Sequence, residues 1–268
     1  MAEPGGAVTR FKLTIEYAGT RYSGWQIQKN ARTVQGELDR AIRTVTGRTD
    51  FELYGSGRTD AGVHALAQVA HLDVVTNVPA DALVGRINDE LPADINVLHA
   101  AVVPHRFHAR HDAVARRYVY QVAKRRTAFA KSFVWWVKES LDLDAMREAA
   151  RAFVGMRDFS AVSQADVKRP DRSTLVLVER LDIVEQGDLL LIVIEGSHFL
   201  WKMVRRIVGV LVEIGRGKLA ASDAHRLLRE EGGDAARLTA PAAGLFLARV
   251  FYPGDARDVP VTPPVPLG

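Results

Sequence analysis

Between Gly55 and His71 the chain reads GSGRTDAGVHALAQVAH. Within it one carboxylate, Asp60, stands two residues after one guanidinium, Arg58, on a glycine-rich turn ahead of a half-apolar segment. A carboxylate so placed can attack carbon and form a covalent intermediate, or act as a base. For either role it must stay ionised while partly desolvated, and a nearby arginine favours the charged form and holds its orientation. On spacing alone the commoner arrangement is an Asp–Arg pair that stabilises a turn, so the loop by itself leaves salt bridge and reaction centre both open.

Other chemistries fit this loop poorly. Gly57 and Gly62 have the spacing of a phosphate-binding loop, but Val63 and His64 stand where Lys and Ser or Thr are required. Gly55-Ser56-Gly57 begins like a dinucleotide fingerprint, yet Asp60 occupies the third glycine position and would face phosphate with like charge. His105, His108 and His111 recur every third residue in HRFHARH, a spacing that alternates faces in a strand, and the neighbouring arginines repel a divalent cation, so no metal is expected. His64 and His71 near Asp60 evoke a hydrolase triad, but no G-x-S-x-G elbow is present and the chain has no cysteine nucleophile.

The charge surrounding this chemistry is unevenly placed. From His105 to Lys131 there are eight basic residues, Arg106, Arg110, Arg116, Arg117, Lys124, Arg125, Arg126 and Lys131, against one acid, Asp112. Phe107, Tyr118, Tyr120 and Phe129 are interleaved with them. Cations meet phosphates and rings stack on unpaired bases, so the stretch suits nucleic acid as well as it suits a solvated basic face. The 268 residues are 47% hydrophobic, ample for two packed lobes, and carry a net charge of only +4. The lack of cysteine excludes disulfides and thiolate sites and fits a reducing cytoplasm. No apolar run approaches the roughly 20 residues of a membrane span, and MAEPGGAVTR lacks a signal-peptide core.

The elements that must position the loop follow from periodicity. Strands are expected at Phe11–Tyr17, Phe51–Tyr54, Ala67–Val75, Ala115–Ala123, Leu175–Val184, Leu189–Glu195 and Leu245–Tyr252. Helices are expected at Thr33–Val45, capped by Thr33, and at Asp81–Leu91, Asp144–Val154, Phe199–Ile214 and Ser222–Glu231. Helices segregated from hairpin strands indicate an α+β class. The expected organisation is a flexible tail over 1–9, an N-terminal lobe with the catalytic loop over 10–110, a C-terminal lobe over 111–254 and a proline-rich, flexible tail over 255–268. The four tryptophans, Trp25, Trp135, Trp136 and Trp201, are expected to serve packing.

The loop closely resembles the signature of the tRNA pseudouridine synthase A family, the TruA type. The resemblance extends through Tyr17–Thr20, Gly24–Gln26, Thr33–Gly36, Leu91–Ile95, Phe107–Arg110, Arg117–Tyr120, Phe153–Ser163, Phe199–Gly209 and Ala240–Leu245, in order along nearly the whole chain. It departs at Ser197-His198, where relatives often carry Asn or Gly, which leaves the fine shape of the base pocket open. The resemblance implies a pseudouridine synthase fold, two α/β lobes around a mainly antiparallel sheet with a central active-site cleft. It implies Asp60 as the catalytic aspartate, Arg58 as the residue that brings the target base out of the stack, Tyr118 against the flipped uracil and Arg205 as the basic partner of the aspartate. Leu245 is a weaker candidate for lining the base pocket, and Arg21, Lys29, Arg116 and Arg117 are weaker candidates for phosphate contacts. The implied reaction converts uridine to pseudouridine at positions 38, 39 and 40 of the tRNA anticodon stem-loop, without cofactor, by a cytoplasmic homodimer. Asp60 would attack base or sugar, or abstract a sugar proton. The rival readings are a non-catalytic RNA-binding or chaperone protein, which needs the basic surface but no ionised aspartate, and a small-molecule hydrolase, which needs no basic stretch.

Overall fold

The computed structural model of the chain describes residues 6–165, 173–229 and 234–267. The chain forms two compact units that are interleaved in sequence: residues up to Val114 with Leu247–Asp255, and Ala115–Phe246 with Ala256–Gly268.

In the first unit, β1 (Thr9–Tyr17) begins the sheet and alternates as its sequence requires, with Phe11, Leu13, Ile15 and Tyr17 buried and the residues between them half-buried. Helix α1 (Val34–Thr46) starts where expected: the Thr33 hydroxyl accepts from the Gly36 N–H at 3.2 Å, satisfying one of the orphan donors of the first turn. It buries Val34, Leu38, Ala41 and Ile42. Next come β2 (Glu52–Gly55), β3 (His64–Val74), α2 (Ala80–Glu90) and β4 (Ile95–Val102). β1 lies antiparallel between β3 and β4, Leu13 opposite Ala70 on one side and Ala100 on the other, and β2 pairs antiparallel with β3. α1 packs against α2. Periodicity did not predict β4, because INVLHAAV loses its alternation at Leu98, the extra residue where the pairing slips between Val97 and His99 against Thr14/Ile15.

The second unit is built on β5 (Ala115–Ala123), with the two-residue β6 (Trp135–Trp136) running parallel along its end. Helix α3 (Leu143–Ala150) follows, its N-terminus capped by the Asp142 carboxylate, which accepts from Asp144 N and Ala145 N. Then come β7 (Gly155–Asp158), β8 (Leu175–Gln186) and β9 (Leu189–Gly196), and the order β5-β9-β8-β7 is antiparallel throughout. Every residue of β9 is buried, as its continuous apolar run LLLIVI implies for a central strand. Helix α4 (Met203–Gly215) packs against α3 and is buried around most of its circumference, Arg205 and Glu213 being half-buried. It starts four residues later than its apolar periodicity indicates, because Lys202 adopts a left-handed φ of 60° that breaks the helical path from Phe199. The expected helix over Ser222–Glu231 is shorter, Asp223–Leu227, and residues 230 and 231 lie outside the described residues. The last strand, β10 (Leu245–Phe251), passes its residues from Leu247 onward to the first unit. The chain is therefore α+β with predominantly antiparallel pairing.

The proline-rich end is not a free tail. Arg117 donates from Nη1 to the Val259 carbonyl at 3.0 Å and from Nη2 to the Arg257 carbonyl at 2.7 Å. Gln186 Nε2 donates to Val261 O at 3.0 Å, and Val265 N donates to Gln121 Oε1 at 3.2 Å. Prolines remove backbone donors, so side-chain donors of the second unit satisfy the carbonyls of this extended segment instead.

Candidate active site

The loop between β2 and β3 is held from both sides. Ser56 N donates to Val69 O at 2.7 Å, closing the turn onto β3. The Ser56 hydroxyl donates to Gln68 Oε1 at 2.7 Å, and Gln68 Nε2 donates to Gly57 O at 3.2 Å. The buried Gln68, which interrupts the apolar pattern of β3, is thus a loop fastener. From the other side, the segment after β1 clamps the loop: Trp25 N donates to Thr59 O at 3.1 Å and Gly62 N to Tyr22 O at 3.2 Å. Gly24 has φ 93°, and a Cβ there would lie 2.6 Å from the Thr59 carbonyl, so only glycine permits this approach. The Thr59 hydroxyl meets the Tyr17 hydroxyl at 2.8 Å in the core.

With Thr59 pinned inward, its neighbours are left at the surface: Arg58 is exposed and Asp60 is half-buried. Asp60 O accepts from Val63 N at 3.1 Å, so the main chain turns immediately after the carboxylate. A partly desolvated acid on an over-determined loop, with a cation two residues away, has the placement that nucleophilic or basic chemistry needs.

The remaining expected catalytic residues lie in the second unit. Tyr118 is a half-buried residue of β5, its ring edge-on to Phe199 at 5.2 Å. Arg205, half-buried on the first turn of α4, donates from Nε to Ala240 O at 2.7 Å, while Ala240 N donates back to Arg205 O at 3.0 Å. Tyr120, two residues beyond Tyr118, donates its hydroxyl to Pro241 O at 2.8 Å. Segment 240–245 therefore ties α4 to β5 within this unit and ends at Leu245, which is buried. Ser197 and His198, the point of departure from the family pattern, contact each other, Ser197 Oγ to His198 Nδ1 at 3.1 Å.

The basic candidates divide by environment. Lys29 is exposed; Arg21 is exposed and ion-paired with Asp94 at 2.7 Å. Arg116 is half-buried and donates to Ser197 O at 2.7 Å. Arg117 corrects the expectation of a phosphate contact: it is 4% exposed, its Nε donates to the Glu195 carboxylate at 2.7 Å, and its Nη atoms donate to carbonyls of the C-terminal segment. It is an internal cation whose counter-ion is another strand residue. The tryptophans also separate, since Trp25 is buried, whereas Trp136 and Trp201 are 41% and 46% exposed.

His64, His71 and His108 fasten the backbone. His64 Nδ1 accepts from Gly19 N at 3.0 Å, which fastens the start of β3 to the clamp segment. HRFHARH forms turns rather than a strand, and this gathers side chains that alternation would have separated: His108 meets His71 edge-on at 4.7 Å and lies tilted against His111 at 4.3 Å. His71 Nδ1 accepts from Ala109 N, and His108 Nδ1 accepts from Arg110 N and His111 N. Burial, then the charges of Arg10 and His108, pull His71 down from 6.5 to about 4. An imidazole kept neutral by the fold binds its proton more readily unfolded, so its contribution to stability is complete above about pH 6.5 and is lost as pH falls toward 4. Urea unfolding from pH 7 to 4 is expected to show this acid limb, and His71→Gln should flatten it; an equally steep limb in the variant would assign the loss to other groups.

The profile of the family described as tRNA pseudouridine synthase matches residues 13–112 and 149–253. The chain belongs to that family. It is 42% identical over 248 residues to a tRNA pseudouridine synthase A of Rhodopseudomonas palustris (strain BisA53), covering 91% of this chain and 99% of the relative. It is likewise 42% identical to the protein of that name from Geobacter sp. (strain M21), over 90% of this chain and 98% of the relative, and 40% identical to that of Halalkalibacterium halodurans, over 90% and 91%. Membership makes the chain an isomerase of the tRNA pseudouridine synthase family, and tRNA its substrate class. The loop carrying Arg58 and Asp60 falls within the first part and Arg205 and Leu245 within the second, whereas Tyr118, on β5, lies between the two. No helix among the described residues is long and apolar enough to cross a membrane.

Proposed function

We propose that the enzyme isomerises uridines 38, 39 and 40 in the anticodon stem-loop of tRNA, with Asp60 as its catalytic carboxylate. The observation that carries this reading is the loop itself: a half-buried acid and an exposed guanidinium held on one rigid turn of a family member. In the reaction the N1–C1′ bond breaks, the uracil rotates, C5 joins C1′, the C5 proton leaves and N1 gains one. Atoms and electrons balance without cofactor or metal. Asp60 opens the reaction by attacking base or sugar, or by taking a sugar proton. The target must leave the stack, at a cost of a few kcal/mol, before any of these. Arg58 enters the place it vacates, Tyr118 supports the flipped base and relays the C5 proton, and Arg205 holds Asp60 ionised. Leu245 lines the base pocket, Arg21, Lys29 and Arg116 contact phosphates, and two copies of the chain in the cytoplasm cradle one tRNA.

The test is tritium release from tRNA transcripts labelled at uridine C5, with no cofactor added, using the wild-type enzyme. Release that disappears only when uridines 38 to 40 are replaced is the expected result; release that persists would move the target elsewhere. Arg58→Ala should slow single-turnover release at saturating tRNA far more than it weakens binding. An unchanged single-turnover rate would remove Arg58 from base flipping.

A further inference from the structure

Beside the loop, on the side of Arg58, the first unit carries a depression of about 320 Å³ lined by Trp25, Gln26, Gln35, Tyr54, Arg58 and Arg110, with Gly55 and Gly57 as its floor. Asp60 does not line it. That volume includes open solvent, so the feature is a shallow, partly open surface on which one flat group can lie rather than an enclosed cavity.

The walls have defined chemistry. Tyr54 is 43% exposed, and its ring is backed by the buried His71, stacked at 5.8 Å and 19°, so the aromatic face is fixed by the core. Trp25 is buried against Gly55, where a Cβ would lie 2.7 Å from the indole; glycine is what lets this floor form. The amides on the wall have a forced orientation. Gln35 Oε1 accepts from Ile27 N and its Nε2 donates to Leu53 O, which fixes the Gln35 amide. Gln26 must then donate its Nε2 to Gln35 Oε1, at 2.9 Å. This leaves the Gln26 carbonyl oxygen and its second N–H for a partner from outside, an acceptor beside a donor. The hydrogen-bonding edges of nucleobases present the complementary pair. Arg58 and Arg110 supply positive charge on the same rim.

We propose that this depression is a second nucleotide subsite, which takes one unpaired base of the substrate RNA next to the reacting uridine. Tyr54 is its stacking platform, Gln26 reads the base edge, and Arg110 holds a flanking phosphate. The inference rests on the tRNA reading given above. It assigns binding energy to a position distinct from Asp60, so that a second base is gripped while the target is extruded.

The experiment is equilibrium binding of an unmodified tRNA transcript across a salt series to Asp60→Ala and to three double variants carrying in addition Tyr54→Leu, Tyr54→Phe or Gln26→Leu, each checked for an unchanged circular dichroism spectrum. Stacking is insensitive to salt, whereas phosphate contacts weaken with it. Tyr54→Leu is expected to lose about tenfold in affinity at every salt concentration, Tyr54→Phe to restore it and Gln26→Leu to lose several-fold. Wild-type affinity in Tyr54→Leu, or a loss that Tyr54→Phe shares, overturns the subsite. If the losses appear as expected but the wild type releases no tritium from C5-labelled tRNA, the RNA subsite stands and the isomerase reading falls.

Discussion

Asp60→Ala is expected to abolish pseudouridine formation while leaving tRNA affinity within tenfold of wild type. Removing the group that opens a reaction costs on the order of 10⁴-fold or more in rate, because no neighbouring side chain takes over its bond-making. Binding follows different physics. It is spread over phosphate contacts from many cations, and one carboxylate contributes repulsion, if anything, to a polyanion. The loop should also keep its place without this side chain, since its fasteners are Thr59, Ser56, Gln68 and the backbone of Trp25 and Gly62, none of which uses the Asp60 carboxylate. Tritium release and filter binding, measured together at one salt concentration, separate the two effects. Asp60→Asn, which keeps the shape and removes the charge, should be as inactive as alanine. Residual turnover near wild type would return Asp60 to the role of a turn residue, and a larger loss of affinity would make it a binding residue.

Glu195→Ala is expected to destabilise the second unit by about 3–5 kcal/mol. Glu195 is 4% exposed, with Arg117 on one carboxylate oxygen at 2.7 Å and Arg257 donating from Nε to the other at 2.9 Å. Arg257 pairs with Glu179 as well and keeps a partner when Glu195 is gone. Arg117 is buried, so removing its counter-ion strands a desolvated guanidinium, and the cost is that stranded charge rather than the attraction lost. The C-terminal segment should loosen at the same time, because Arg117 and Arg257 both anchor it. Thermal unfolding should fall by on the order of 10 °C, with faster tryptic cleavage at Arg257. A loss below about 1 kcal/mol would mean that water reaches Arg117 in solution.

Much of this was legible in the chain because it is local. The alternation of FKLTIEY, the cap at Thr33 and the hairpin at Gln186–Asp188 are decided by side chains within one turn of each other, and the corresponding elements formed. The fixed run of residue types from Gly55 to His71, with its companions in order, identified the family and made Asp60 the expected catalytic carboxylate. Tertiary structure alone decided which charges face water. Arg116 and Arg117 are adjacent and identical in type, yet the pleat of β5 sends one to partial exposure and the other into the core opposite Glu195. It also decided the fate of the proline-rich end, whose carbonyls found donors on Arg117 and Gln186 and whose Val265 N–H found an acceptor in Gln121. The depression beside Arg58 had no signal in the sequence, since Gln26, Gln35, Tyr54 and Arg110 come from four separate segments. Spacing along a chain fixes which face a residue takes within its own element; only long-range packing fixes what meets that face, and hence whether a cation is a counter-ion in the core or a ligand for RNA.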